Sequence, residues 1–295
     1  MGAKLLSPAD SAIATVAYAD VFDSPLTRKE FHDWSLFSSA NSVRPGVIDQ
    51  KNGLLFLRGR SKLLSVRERR QSWQEEKRAI ARRAARWLAI FPTVQLVGVT
   101  GGLSMNNAKK EDDIDFFLVV APGTIWITRL LVTLFMDILG VRRKPLATRV
   151  TDKICLNMFV TPRGLSVPVG ERDCFSAHEV LQMKPVWERA GIYRKFLNAN
   201  GWVQTYLPHA WKAKRSEIVP TVSHTPSPVV CVFRLFDFPA KIIQIFYMQR
   251  KRSNEVVTDS VLRFHPRDAR GWVKRRFAAR LTRYKIPLDK VFYAS

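Results

Sequence analysis

Three short apolar runs stand out between residues 94 and 161. They are VQLVGVT (94–100), IDFFLVV (114–120) and KICLNMFVT (153–161). Their length and their β-branched and aromatic content predict buried strands. Gly101-Gly102 follows the first run, and residues 101–110 read as a glycine turn with a short helix. Pro122-Gly123 turns the chain after the second run. Thr124 is the expected cap of the next apolar-periodic helix, which Gly140 ends. This order predicts an α+β (mixed α/β) sheet with helices on one side.

The pattern upstream has the longer, helical period. Ile13, Val16, Ala17 and Phe22 mark one helix, and Pro25 breaks the chain. Thr27 with Glu30 three residues later forms a capping box, so a second helix is expected to run to about Phe37. Asn52-Gly53 separates two apolar runs and predicts a hairpin. Two helices and a hairpin suit a small winged-helix-like unit over 1–60. Residues 61–91 then form one long helix with an apolar stripe through Leu63, Trp73, Ile80, Ala84 and Leu88, stopped by Pro92. Beyond the third strand, 175–210 reads as helical and aromatic, and 219–228 as a linker. A long apolar helix is expected from about 229 to 250, and a basic helix opens near Pro266 and Asp268. The expected units are therefore 1–60, 61–165 and a mainly helical 166–295.

The two most apolar windows carry charges. Arg129 and Asp137 interrupt one; Arg234, Asp237 and Lys241, with Pro239, interrupt the other. Neither supplies the roughly 18 charge-poor residues of a membrane span, so both read as buried or partner-facing helices and no integral membrane segment is expected. Asp10 and Asp20 break up the apolar N-terminus, which argues against a signal peptide. Leu6 stands where a myristoylation signal after Gly2 wants Ser or Thr. Cys155, Cys174 and Cys231 form no CxxC pair, so a disulfide or zinc site is not expected, and Cys155 reads as plain core. Those features fit the cytoplasm. The five histidines, His32, His178, His209, His224 and His265, have no ligand spacing.

Charge changes the picture. The 295 residues hold 48 Lys and Arg against 25 Asp and Glu, a formal net charge of +23. Such a chain attracts polyanions, and nucleic acid is the expected one, through the basic segments 58–86 and 263–285. Against this background the acidic knot Glu111-Asp112-Asp113-Ile114-Asp115 is conspicuous. On a strand, Asp113 and Asp115 point to one face, and two such carboxylates repel unless a cation lies between them. Oxygen donors of this kind suit Mg²⁺, or Mn²⁺. Gly101 and Gly102 let the backbone approach a phosphate, and Ser104 adds a hydroxyl. Arg129, about one turn into its helix, is a candidate phosphate contact, with an ion pair between helix and sheet as the alternative.

The apolar strand, Gly101-Gly102, ten intervening residues and then Asp113-Ile114-Asp115 opening a second strand resemble the signature of the polymerase-beta-like nucleotidyltransferase superfamily. The wider chain resembles a group of bacterial proteins carrying this domain, in YADVFDSPLTRKEF, PGTIWITR, KICLNMFV and NANGWVQTYLP. The resemblance implies metal ions on Asp113 and Asp115, with a nucleoside triphosphate held by Gly101, Gly102 and Ser104. It implies transfer of a nucleoside monophosphate to a hydroxyl, with pyrophosphate leaving. The superfamily places a third carboxylate on a later strand. Here that strand carries Asn157, with Asp152 just before it as a substitute ligand. The alternative expectation is an inactive transferase fold that binds nucleic acid.

Overall fold

Strand runs with apolar residues at both parities have no solvent face to offer, and this decides the architecture. The computed structural model describes residues 6–37, 46–144, 147–217, 219–222, 228–249, 256–264 and 269–292. Among them it is a mixed α+β protein with eleven α-helices and two sheets.

The chain opens with α1 (Pro8–Val21), capped by the Ser7 hydroxyl, which accepts from the Asp10 amide at 3.1 Å. Strand β1 (Leu26–Thr27) leads into α2 (Arg28–Asp33), and the Thr27–Glu30 capping box is present as expected. The hairpin β2 (Ile48–Lys51) and β3 (Leu54–Leu57) turns through Asn52 and Gly53, both at positive φ. These strands form an antiparallel sheet in the order β1-β3-β2. The long helix α3 (Leu63–Leu88) follows.

The central sheet begins with β4 (Val94–Val99), the short helix α4 (Gly101–Ser104) and β5 (Ile114–Val120). Then come α5 (Ile125–Ile138), β6 (Ile154–Val160), α6 (Cys174–Gln182) and β7 (Lys184–Glu188). Helices α7 (Ile192–Ala199), α8 (Pro208–Ser216) and α9 (Pro228–Gln249) precede β8 (Val256–Val257) and β9 (Val261–Arg263). Helices α10 (Ala269–Arg283) and α11 (Leu288–Phe292) end the described chain. The six strands lie in the order β7-β4-β5-β6-β9-β8, with β5 and β6 parallel and the other neighbours antiparallel.

Ile114, Phe116 and Leu118 of β5 pack with Ala84 and Leu88 of α3, Trp126 and Met136 of α5 and Met248 of α9. Phe117 and Val119, on the other parity, pack with α1, α6, α7 and α10. Helices thus cover both faces, which corrects the one-sided expectation. The region beyond 165 is also no separate helical body. It adds β7, β8 and β9 to the central sheet, and α10 packs on α1. Strand β7 lies inside a stretch expected to be helical; Pro185 disfavours helix there, and pairing with β4 holds the segment extended. Residues 223–227 of the expected linker, with His224, lie outside the described residues, as do His265, Pro266 and Asp268. No described helix is long and apolar enough to cross a membrane.

Candidate metal and nucleotide site

The acidic knot divides between two roles. Asp112 folds back on its own turn, its Oδ2 accepting from the Lys109 amide at 2.8 Å. Asp113 and Asp115 flank Ile114, which is wholly buried on the other face of the sheet. Parallel pairing sets Cys155 of β6 opposite Asp115. One carboxylate oxygen of Asp113, one of Asp115 and the Cys155 sulfur lie within 4.8 Å of one another.

The glycine turn closes the other side. The Thr100 amide donates to the Asp115 carbonyl at 3.0 Å, and Gly101 sits at φ +65°. A Cβ on Gly101 would stand 2.6 Å from Asp115 Oδ2. Backbone and carboxylate therefore share a space that only glycine leaves open.

Each carboxylate has a partner within the chain. Arg143 donates to Asp113 Oδ2 at 2.7 Å, and Asn157 Nδ2 donates to Asp115 Oδ1. The Cys155 thiol donates to Asn157 Oδ1 at 3.1 Å. Burial, and then the Asp113 charge, push the Asp115 carboxyl up to about 7, with Arg143 opposing. Burial and the two carboxylates also push the Cys155 thiol up, so it remains a neutral thiol. Two neighbouring carboxylates with one guanidinium, bonded to Asp113, are a charge arrangement that a divalent cation would relieve. Asp113 and Asp115 fit the hard oxygen donors of Mg²⁺ or Mn²⁺; a protonated thiol as third donor does not.

The other expected site residues are placed less favourably. Asp152 does not join the group. It sits at φ +59°, and its carboxylate accepts at 2.7 Å from Lys77, which also donates to the Asp112 carbonyl at 2.6 Å. Lys77 is 2% exposed, so Asp152 serves as its counter-charge. Ser104 is buried, and its hydroxyl donates to the Gly101 carbonyl at 2.8 Å, bracing the turn from within. Gly102 packs close to the Ala108 backbone. Arg129 is not brought to the carboxylates. It bonds Gln244 of α9 and lies 4.2 Å from the Phe264 ring centroid, on the face of the sheet opposite Asp115.

Two site residues escaped the sequence reading. Cys155 passed as core, although it stands two residues before Asn157 and so shares its face. Arg143 lay in a basic loop, VRRKPLATRV, that gave no sign of which arginine turns inward.

The basic segments are partly spent on internal contacts. Arg60 pairs with Asp20 and Asp23, Arg67 with Glu30, and Arg70 bonds Asn107 and the Phe22 carbonyl. At the other end Arg263 pairs with Glu171, Lys274 with Asp173 and Arg280 with Asp20. No family model, no curated protein and no solved structure matches this chain.

Proposed function

We propose that the protein is a metal-dependent nucleotidyltransferase, moving a nucleoside monophosphate from a nucleoside triphosphate to a hydroxyl acceptor. One observation carries this reading: Asp113 and Asp115 share a sheet face and meet a glycine turn in which Gly101 has no room for a side chain. Asp113 and Asp115 would hold Mg²⁺ or Mn²⁺. Bound there, the ion would supply charge neutralisation for the triphosphate and the acceptor oxygen. The open Gly101–Gly102 backbone would admit the phosphates. Arg143 holds the Asp113 carboxylate in place and keeps positive charge beside it. The helices and hairpin of residues 8–57 support a winged-helix-like unit ahead of this core. The +23 charge favours a nucleic acid as acceptor.

A second reading is an inactive transferase fold that binds nucleic acid. The Arg143 and Asn157 bonds to the two carboxylates favour it, as does a strand position where Cys155 and Asn157 offer no basic oxygen. The deciding experiment follows Mn²⁺ binding by electron paramagnetic resonance and transfer from labelled nucleoside triphosphates. The transferase reading expects metal-dependent transfer, with both signals lost in Asp113→Ala. Mn²⁺ binding without transfer, together with salt-sensitive nucleic-acid binding, selects the second reading. Transfer that survives in Asp113→Ala sinks the first.

A further inference from the structure

Helix α9 hides only a narrow stripe. Val230, Ala240, Gln244 and Met248 are buried, and Gln244 donates to the Trp126 carbonyl of α5 at 2.8 Å. Asp237, the helix's one acidic residue, also turns inward and accepts from the Trp126 and Ile127 amides at 2.8 and 2.9 Å. Most of the remaining helix surface is apolar and open. Val232, Leu235, Phe236, Phe238, Ile242 and Ile243 are between 53% and 75% exposed. Leu235, Phe238 and Ile242 follow one another at i, i+3 and i+7, so they form a single stripe. Exposed large hydrophobic residues scattered singly need no explanation; a contiguous helical face of them marks a binding surface.

Charge identifies what this surface meets. Any second copy of the chain also bears a formal charge of +23, and two such bodies repel. Nucleic acid would satisfy the charge but would leave the stripe in water. An anionic bilayer surface satisfies both. Of the two basic residues on α9, Arg234 is exposed and bonds the Pro122 carbonyl at 3.0 Å, Lys241 is half-buried and pairs with Asp259 at 2.6 Å, and the sequence directly after the helix reads Arg250-Lys251-Arg252. An apolar helical face with adjoining basic residues is the pattern of a helix lying in the headgroup region. The helix is not apolar enough to cross the bilayer.

We infer that α9 is a membrane-interface helix that seats the protein on an anionic lipid surface, with the Leu235–Phe238–Ile242 stripe dipping among the acyl chains. This inference goes beyond the transferase reading and does not depend on it.

The test is flotation of the full chain with phosphatidylcholine vesicles, with and without phosphatidylglycerol. The expected result is flotation with the anionic vesicles, weakened by high salt, and little with phosphatidylcholine alone. The double variant Leu235→Glu/Ile242→Glu, both at exposed positions, should melt as the parent does and bind at least about tenfold less. In the unaltered protein, hydrogen exchange across residues 228–249 should slow when anionic vesicles are added. No flotation, no slowing of exchange, or flotation unchanged in the double variant each overturns the inference. So does sedimentation that shows the parent as a dimer and the variant as a monomer, which would assign the stripe to a second copy.

Discussion

A side chain at position 101 would collide with the Asp115 carboxylate, and its backbone would be strained before the collision began. The φ of +65° alone costs an alanine about 1–2 kcal/mol. The 2.6 Å approach of its Cβ to Asp115 Oδ2 would add to that by driving the carboxylate off its Asn157 bond. Gly101→Ala should therefore lower stability in urea by at least about 1 kcal/mol and weaken Mn²⁺ binding. Gly102→Ala is the control. Its φ is not positive, and its Cβ would stand 3.3 Å from the Ala108 Cα, which must give by only a few tenths of an ångström, against the 2.6 Å approach at Gly101. Equal losses in the two variants would show that the turn, and not the shared space at Asp115, sets the cost. At this scale the sequence was informative wherever the geometry is local. Asp113 and Asp115 share a face because strands repeat every two residues, and no tertiary knowledge is needed for that. Cys155 arrives through parallel pairing across some forty residues, and Arg143 through a loop whose amide donates to the Ile154 carbonyl at 2.8 Å. Periodicity within a strand does not give its register against a distant strand, so the neighbour of Asp115 could not be read.

Helix α5 shows how an element can borrow its own cap. Thr124 stands at the expected N-cap, but its hydroxyl donates to the Ala121 carbonyl and accepts from the Thr128 hydroxyl, and caps no backbone amide of the first turn. The first amides are satisfied instead by Asp237, more than a hundred residues away on α9. A carboxylate at a helix N-terminus also favours the helix dipole. Asp237→Ala should cost about 1 kcal/mol in urea unfolding, within the range of lost N-caps, and Asp237→Asn, which keeps an acceptor, should cost much less. If both variants are equally harmless, the contact is incidental. The borrowed cap also explains what was legible among the elements. The Asn52-Gly53 hairpin, the Thr27–Glu30 box, the long α3 and the three central strands each carry a local signal strong enough to read. Strand β7 carries none: five residues, one of them proline, held extended by β4. Strands β8 and β9, two and three residues long, are defined by the sheet they join rather than by their own sequence. The face occupied by Arg129 was likewise set by where α9 packs.

Across the whole molecule, one core runs from Leu6 to Val291 and ties the first helix to the last. His178 sits inside it. Its ring stacks on Tyr18 of α1 at 3.7 Å between centroids, its Nδ1 bonds the Cys174 carbonyl at 2.8 Å, and it is 2% exposed. Burial holds its pKa down to about 4, with the Cys174 carbonyl and Asp173 opposing weakly. The unfolded chain takes up this proton near pH 6.5, the ordinary value for histidine. Above that, neither state is charged and His178 contributes no slope. Between about 6.5 and 4 the unfolded state binds more protons than the folded one, so stability falls as pH falls, by roughly 3 kcal/mol over the window. Because the ring lies where α1, α6 and α10 meet, that loss is expected in global unfolding rather than in one frayed element. Asp115, held near 7 in the folded state, gives the opposite slope over this window, so the His178 contribution is read as the difference between the urea midpoints of the parent and of a variant without the imidazole. His178→Phe, which keeps a ring against Tyr18 and cannot titrate, should lack that contribution even though its overall stability changes. A phenylalanine variant whose midpoints change with pH as the parent's do would mean that His178 does not contribute to the acid slope.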